Sequence, residues 1–389
     1  MEFVKTDINE AIIKLLRFSF SVDNRTLSWL RREAEEEKKG LFDAFAIKDQ
    51  SEYLSACYLW PLEMRLRDSI VKMSGIGALG SNAINRGKGA VKKLLLESLK
   101  HMREQNVTVS VLYPFSQSFY RKYGWEKFDD MYTCHFSPSI IKKTNTLNDY
   151  EIHHYYEPNE AVTAFYNQYA ASHYNYIQKQ TKHWDIDLEM KIPSDIDRRI
   201  VAFSQNGQIK SMILMLTSNP ENETVLVVRD MAFSEQKDIM PIFDFLATLS
   251  LQIKKINLNL PVDFIYWPFF NDRPEKTLLR ERSMIRIVDM LKLNGLKINA
   301  PDLDIYLKIN DDFAKWNDGQ YRLSVKEKSL AIEKSEKADF ECDIATLSSI
   351  ITGYTDFQTM LLMGKVKPLS QTLLKIDLPK EITFLPFAF

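Results

Sequence analysis

Between residues 88 and 113 the chain changes its hydrophobic period. Val91, Leu95, Leu99 and Met102 recur at helical spacing, with Lys92, Lys93, Lys100 and Arg103 mostly off that stripe, so a helix is predicted from about Lys88 to Gln105. The following Val107–Tyr113 alternates branched apolar residues with others, the pattern of a strand with one buried face. Upstream, two helices are expected, Glu10–Phe18 and Asn24–Lys39, the second running into an acidic and basic stretch and stopping at Gly40. Leu41 to Ile76 reads as strand. Strand, glycine-containing turn, helix and strand make a βαβ unit, so the first 140 residues are α/β. Pro138 and the polar run Lys142–Asn148 mark a boundary.

The middle third carries a hairpin signal, Arg198–Ser204 and Gln208–Thr217 around Asn206-Gly207. A strand (Thr224–Phe233), an apolar helix (Ile239–Ile253) and an extended segment (Ile256–Tyr266) follow. After Ser283 come short strands at Asp304–Ile309, Gln320–Val325 and Ser329–Lys334, then helices at Ile344–Ile351 and Phe357–Met363, an α+β arrangement. The expected domains are 1–141, 142–283 and 284–389, consistent with 389 residues at roughly 150 per domain.

Charge narrows the partners. Lys and Arg total 51 against 52 Asp and Glu, so the chain has no global field to hold a polyphosphate backbone, and nucleic acid is not expected. Three scattered cysteines (Cys57, Cys134, Cys342) build neither a disulfide framework nor a metal site, which fits a reducing compartment. The six histidines have no metal-ligand spacing either; His153 and His154 are adjacent, so on a strand they face opposite ways. No 18-residue apolar run occurs, and Met1–Asp7 is too polar and acidic for a signal peptide, so a cytoplasmic protein without a membrane span is expected.

The glycines concentrate where chemistry is most expected. Of 12 in the chain, Gly75, Gly77, Gly80, Gly87 and Gly89 fall within 15 residues. Gly75–Gly80 matches G-x-G-x-x-G literally, yet Gly87 and Gly89 would interrupt the helix that a dinucleotide fold opens there, and the next strand ends Tyr113-Pro114 without an acidic residue. Arg86-Gly87-Lys88-Gly89 also fails as a Walker A tail: position 82 is Asn, and Gly89 stands where Ser or Thr should follow the lysine. What remains is a glycine turn at a helix N-terminus carrying two cations. It suits a pyrophosphate, and from these residues alone it suits equally a flexible surface turn feeding a core helix.

A strand followed by x-x-Arg86-Gly87-x-Gly89 and an amphipathic helix resembles the acyl-CoA motif of the GCN5-related N-acetyltransferases. Leu112-Tyr113-Pro114-Phe115 with Phe119-Tyr120-Arg121-Lys122-Tyr123-Gly124-Trp125 is similar to the corresponding segment of the Eis-like (enhanced intracellular survival) subfamily. Ser283–Asp289 and Leu347–Tyr354 look like parts of its C-terminal domain, and the sequence ends on an aromatic residue, Phe389, as Eis-like chains do. The resemblance covers nearly the whole chain. It implies a mixed-sheet acetyltransferase domain, a second degenerate acetyltransferase-like domain and a sterol-carrier-like α+β domain. It also implies acetyl-CoA as co-substrate, no metal, an amine acceptor such as an aminoglycoside, polyamine or peptide, and a homo-oligomer, commonly a hexamer.

The roles it implies fall on named positions. Gly77, Leu79, Arg86, Gly87, Lys88, Gly89 and Ala90 would bind the cofactor, with a backbone N–H near Leu79 meeting the oxyanion. Tyr120 would protonate the leaving thiolate, since a phenol near pKa 10 is matched to a thiol near 8.5. The α-carboxylate of Phe389 would take the amine proton. On residues alone, Tyr120 also reads as a core or boundary tyrosine, and Phe387 with Phe389 reads more readily as a buried greasy tail than as a catalytic end. Two departures stand out: Ile84 occupies a position that the motif gives to Gln or Arg, and no carboxylate side chain follows Glu381. The rival reading is an acyl-CoA- or lipid-binding protein without turnover.

Overall fold

A computed structural model of the chain describes residues 1–20, 24–82, 84, 87–184, 197–218, 224–369, 376–387 and 389. Two compact units emerge. One comprises Met1–Asp129, Arg282–Thr383 and Phe389; the other comprises Asp130–Glu281 and Phe384–Ala388.

The first unit is built on β1 (Glu2–Lys5), β2 (Asp43–Asp49), β3 (Glu52–Leu66), β4 (Ser69–Ser81), β5 (Val109–Leu112) and β6 (Glu126–Lys127). A distant strand, Met284–Ile287, inserts between β5 and β6, giving a seven-stranded sheet. β4 runs parallel to β5, and the crossover is helix α3 (Ala90–Glu104). α3 buries Leu94, Leu95, Leu99 and Met102 against Ile47, Cys57, Leu59, Ile76 and Leu112 of the sheet. Each such side chain is worth about 1.5–3 kcal/mol when withdrawn from water, so the stripe rather than helix propensity fixes α3. On the other side, helix α1 (Glu10–Phe20) buries Ile12, Ile13, Leu15 and Leu16. Helix α2 (Asn24–Lys38) adds Leu30 and a buried carboxylate, Glu33.

The same unit holds a five-stranded sheet from residues 303–368, in which strands Leu303–Asn310, Gly319–Lys326 and Ser329–Lys334 follow the sequence expectation within a residue or two. Helix Ile344–Ile351 is buried along its whole length and is capped by Asp343, whose carboxylate accepts from Thr346 N. Two buried arginines fix this region. Arg67, in the left-handed turn between β3 and β4, is 0% exposed. It donates to the carbonyls of Ile350, Ile351 and Pro379 at 2.9, 2.8 and 2.7 Å and to Glu381 at 2.9 Å. Arg286 is fully buried beside Asp311, which also accepts from Ala314 N at 2.9 Å. Removing one partner of such a pair strands a buried charge. Asp311→Ala is therefore expected to lower the unfolding free energy by about 3–5 kcal/mol, measured by urea denaturation.

The second unit repeats much of this plan. Its seven strands include β7 (Asp130–Phe136) and β8 (Glu151–Tyr155), then β9 (Asp197–Gln205) and β10 (Gln208–Ser218), which form the Asn206-Gly207 hairpin. Next come β11 (Val225–Phe233), β12 (Lys255–Leu260) and β13 (Lys276–Glu281). β11 and β12 are parallel and joined through helix Met240–Thr248, shorter than the sequence expectation because 3-10 turns flank it on both sides. Ile213 and Met215 of β10 enter one core with this helix, while Met212 and Leu214 enter the other with helix α5 (Glu160–Ala170), as period-two alternation requires. Strands β7 and β13 were not expected from the sequence; they pair with each other and β7 also with β12, across more than a hundred residues. Among the described residues no helix is long and apolar enough to cross a membrane.

Candidate active site

The glycines at 75, 77 and 80 lie on strand β4, and their spacing of two and then three has a geometric cause. Gly75, Gly77 and Gly80 pair with Trp60, Tyr58 and Ala56 of β3, so two β4 residues, Ala78 and Leu79, face the single residue Cys57. This is a one-residue bulge, with Ala78 in the left-handed region at φ 46°. It keeps all three glycines on one face of the sheet. β4 also runs past its last pair with β5, Ile76 with Leu112, so residues 77–81 border an opening between the two strands.

The glycine face is covered by the end of the chain. Ring atoms of Phe389 lie 2.5–2.7 Å from where a Cβ on Gly75 would stand, so only glycine admits the ring. The carboxyl carbon of Phe389 lies 3.6 Å from the corresponding point on Gly77, and Trp60 Nε1 lies 2.8 Å from that same point. Tyr113, just past β5, flanks the ring with centroids 5.2 Å apart. Tyr58 OH and Trp60 Nε1 are buried without a hydrogen-bond partner among the described residues, although both are groups that normally find one. Tyr58 and Trp60 are not among the residues that the sequence motifs single out. Their i, i+2 spacing on a strand opposite two glycines was the available signal.

Tyr120 sits on the opposite, α3-facing side. It belongs to helix α4 (Gln117–Arg121), capped by Ser116, and its ring packs edge-on to Phe119 and Trp125. Burial, with a smaller contribution from Cys57, pushes its phenol well above the ordinary tyrosine range, so it stays protonated at any physiological pH. Tyr120 thus belongs to the α3-facing core of the sheet, and Phe389 to its glycine face.

Gly87 (φ 85°) and Gly89 (φ 80°) both take left-handed backbone, and a Cβ at either would meet nothing within 4 Å. Gly89 is the N-cap of α3 and makes no side-chain cap hydrogen bond, while Lys93 N is bonded back to Gly89 O at 2.9 Å. Among the described residues nothing crowds the two glycines at this helix start, where Lys88 is exposed and Ala90 buried. Arg86 lies outside the described residues. Ile84 is 88% exposed, an apolar side chain where the family motif has a polar one. The equivalent junction of the second unit differs: Glu235 and Asp238 form a reciprocal capping box there, so carboxylates already occupy the helix start. The two carboxylates of the second arrangement disfavour an anion there. Among the described residues no three His, Cys, Asp or Glu side chains converge as a metal site requires.

Residues 3–128 match the acetyltransferase (GNAT) domain family, and residues 288–378 match the sterol carrier protein domain family. The chain thus carries a GNAT acetyltransferase domain and, toward its C-terminus, a sterol carrier protein domain. Its fold is shared along the whole length by a GCN5-related N-acetyltransferase from Anabaena variabilis, at 20% identity and TM-score 0.86 with 99% of each chain covered. A probable N-acyltransferase from Enterococcus faecalis aligns at 17% identity and TM-score 0.81, over 100% of this chain and 99% of its own. Eis1 from Mycobacterium abscessus aligns at 13% identity and TM-score 0.77, with 100% of both chains covered. A comparison with curated protein sequences gives no significant match.

Proposed function

We propose that the protein transfers acetyl from acetyl-CoA to a primary amine of a small molecule, aminoglycoside- or polyamine-like, or of a peptide. The observation that carries this reading is the seat of Phe389, whose ring fills the space over Gly75 and whose carboxyl carbon stands beside Gly77 at the mouth of the β4–β5 opening. An α-carboxylate has an ordinary pKa of about 3.5, so its first service is to hold an ammonium by charge. One proton leaves the ammonium, to the carboxylate or a neighbouring water, before the nitrogen lone pair attacks the thioester carbonyl, and a second leaves the same way as the tetrahedral intermediate collapses. The C–S bond breaks toward the other face, where Tyr120 gives its phenol proton to the thiolate and is reprotonated from solvent. The left-handed bulge at Ala78 and Leu79 supports an oxyanion donor at Leu79, beside Gly77. The turn from Arg86 to Ala90 would carry the pyrophosphate, with Gly87 and Gly89 keeping side chains out of its way.

The test is thiol release from acetyl-CoA, followed with a chromogenic disulfide across a panel of amines, alongside calorimetric titration of acetyl-CoA. Amine-dependent release supports the enzyme. Binding of acetyl-CoA with no release for any amine, or lipid co-purifying in stoichiometric amount, would favour the binding-protein alternative. The homo-hexamer implied by the resemblance is checked by light scattering of the same sample.

The glycine turn gives a narrower prediction. Gly89→Ala forces a side chain into left-handed backbone at a cost of about 1–2 kcal/mol. Its expected result is a several-fold rise in the KM for acetyl-CoA with kcat little changed, measured by initial rates at saturating amine.

A further inference from the structure

Trp60 carries a polar group that the proposed steps leave idle. It pairs with Gly75 across β3 and β4, yet its Nε1 lies 2.8 Å from where a Cβ on Gly77 would stand, so the indole leans along the strands from one glycine toward the next. Phe389 runs the same way: its ring covers Gly75, and its carboxyl carbon lies 3.6 Å from that same point on Gly77. The indole N–H and the carboxyl group therefore border one point, which any side chain at residue 77 would fill.

The indole is firmly seated. Trp60 is 1% exposed and packs on Phe42 with ring centroids 4.3 Å apart. Its Nε1 can only donate, and it has no hydrogen-bond partner among the described residues. A buried donor left unpaired is costly, so it marks a place where an acceptor belongs. Two side-chain carboxylates act on the neighbouring Tyr58, Glu33 and Glu37, but these already accept from Trp29 Nε1 at 2.6 Å and Ile8 N at 2.7 Å. The first of those bonds shows that this unit already pairs an indole with a carboxylate. The carboxylate that shares a neighbouring point with Trp60 Nε1 is that of Phe389. A chain terminus turns about its single Cα–C bond, so a fixed donor on one oxygen selects the direction in which the other points.

From this juxtaposition we propose that Trp60 is the positioning residue of the terminal carboxylate: its N–H donates to one oxygen of Phe389 and turns the other toward the acceptor amine. The proposal rests on the reading of that carboxylate as the proton acceptor. Trp60 itself touches no reacting atom and acts through Phe389 alone.

Two measurements test it. With tryptophan labelled at the indole nitrogen, one of the six N–H signals of the full chain should move when the Phe389 carboxylate is converted to an amide, and that signal should be the one missing from Trp60→Phe. The comparison of carboxylate with amide needs neither a core substitution nor turnover, so it separates a failed hydrogen bond from a failed reaction. In kinetics, Trp60→Phe should lower kcat about tenfold or more, with the KM for acetyl-CoA within about twofold, and a thermal melt verifies its fold. In the amidated chain the same substitution should change the residual rate by less than about twofold, because the group it serves is gone. An equal loss in both backgrounds, a folded Trp60→Phe protein with the parent's kcat, or indole signals unchanged by amidation would each overturn the proposal.

Discussion

Converting the Phe389 carboxylate to an amide is expected to lower kcat for acetyl transfer by about 10²-fold or more, while acetyl-CoA affinity stays within a small factor. The amide, made by ligating a synthetic tail, leaves the aromatic ring in place over Gly75 and removes only the charge and the proton acceptor. A parallel chain lacking Phe389 altogether loses both. Its new terminus would stand one residue short, a displacement of about 3.3 Å along an extended backbone, which is longer than a hydrogen bond. Stopped-flow thiol release and calorimetry separate the two quantities. If the amide turns over normally while the deletion does not, the ring is what matters and the carboxylate is discarded as the base. If both turn over normally, the end of the chain is a packing element only.

Tyr120→Phe is expected to reduce kcat by about 10²–10³-fold with the KM values nearly unchanged, because the phenol acts on the leaving group rather than on binding. Its surroundings make the variant informative. The ring is enclosed by Phe115, Phe119 and Trp125, so phenylalanine fills the same volume and stability should barely move. The pH dependence has a definite sign. A group that must be protonated and whose pKa is raised keeps its proton further into alkali, so no loss of kcat from Tyr120 is expected up to about pH 10. Over the same range kcat/KM should climb as more of the amine is neutral. A folded Tyr120→Phe protein within threefold of the parent would return Tyr120 to the role of core tyrosine.

The sequence made the local features of this molecule legible. The α3 stripe, the Asn206-Gly207 hairpin and the three strands between residues 303 and 334 stood where period and turn chemistry put them, because each depends on neighbours in sequence. Long-range partnerships were not legible. Met284–Ile287 completes a sheet beside β5, about 170 residues earlier, and nothing in its four residues names that partner. β7 likewise carries no signal for β12 and β13. At the site, the left-handed backbone of Gly87 and Gly89 follows from residue type, and the resemblance pointed to Tyr120 and Phe389. Trp60 and Tyr58 were passed over because an aromatic on a strand reads as core until the opposite strand is known to be glycine. The G-x-G-x-x-G string misleads for the same reason: two-then-three spacing marks a bulged strand as well as a nucleotide turn, and only the pairing with β3 separates them.

Arg67 gives the tail a fixed origin. Its guanidinium holds the Pro379 carbonyl and the Glu381 side chain, and Glu381 N in turn bonds Gly353 O at 2.8 Å. On the proposed mechanism the last eight residues then act as a ruler of set length, and the reacting group is its final graduation. An affinity tag appended after Phe389 would turn that carboxylate into a peptide bond. On the proposed mechanism such a preparation would be a poor catalyst, so purification handles belong at the amino end.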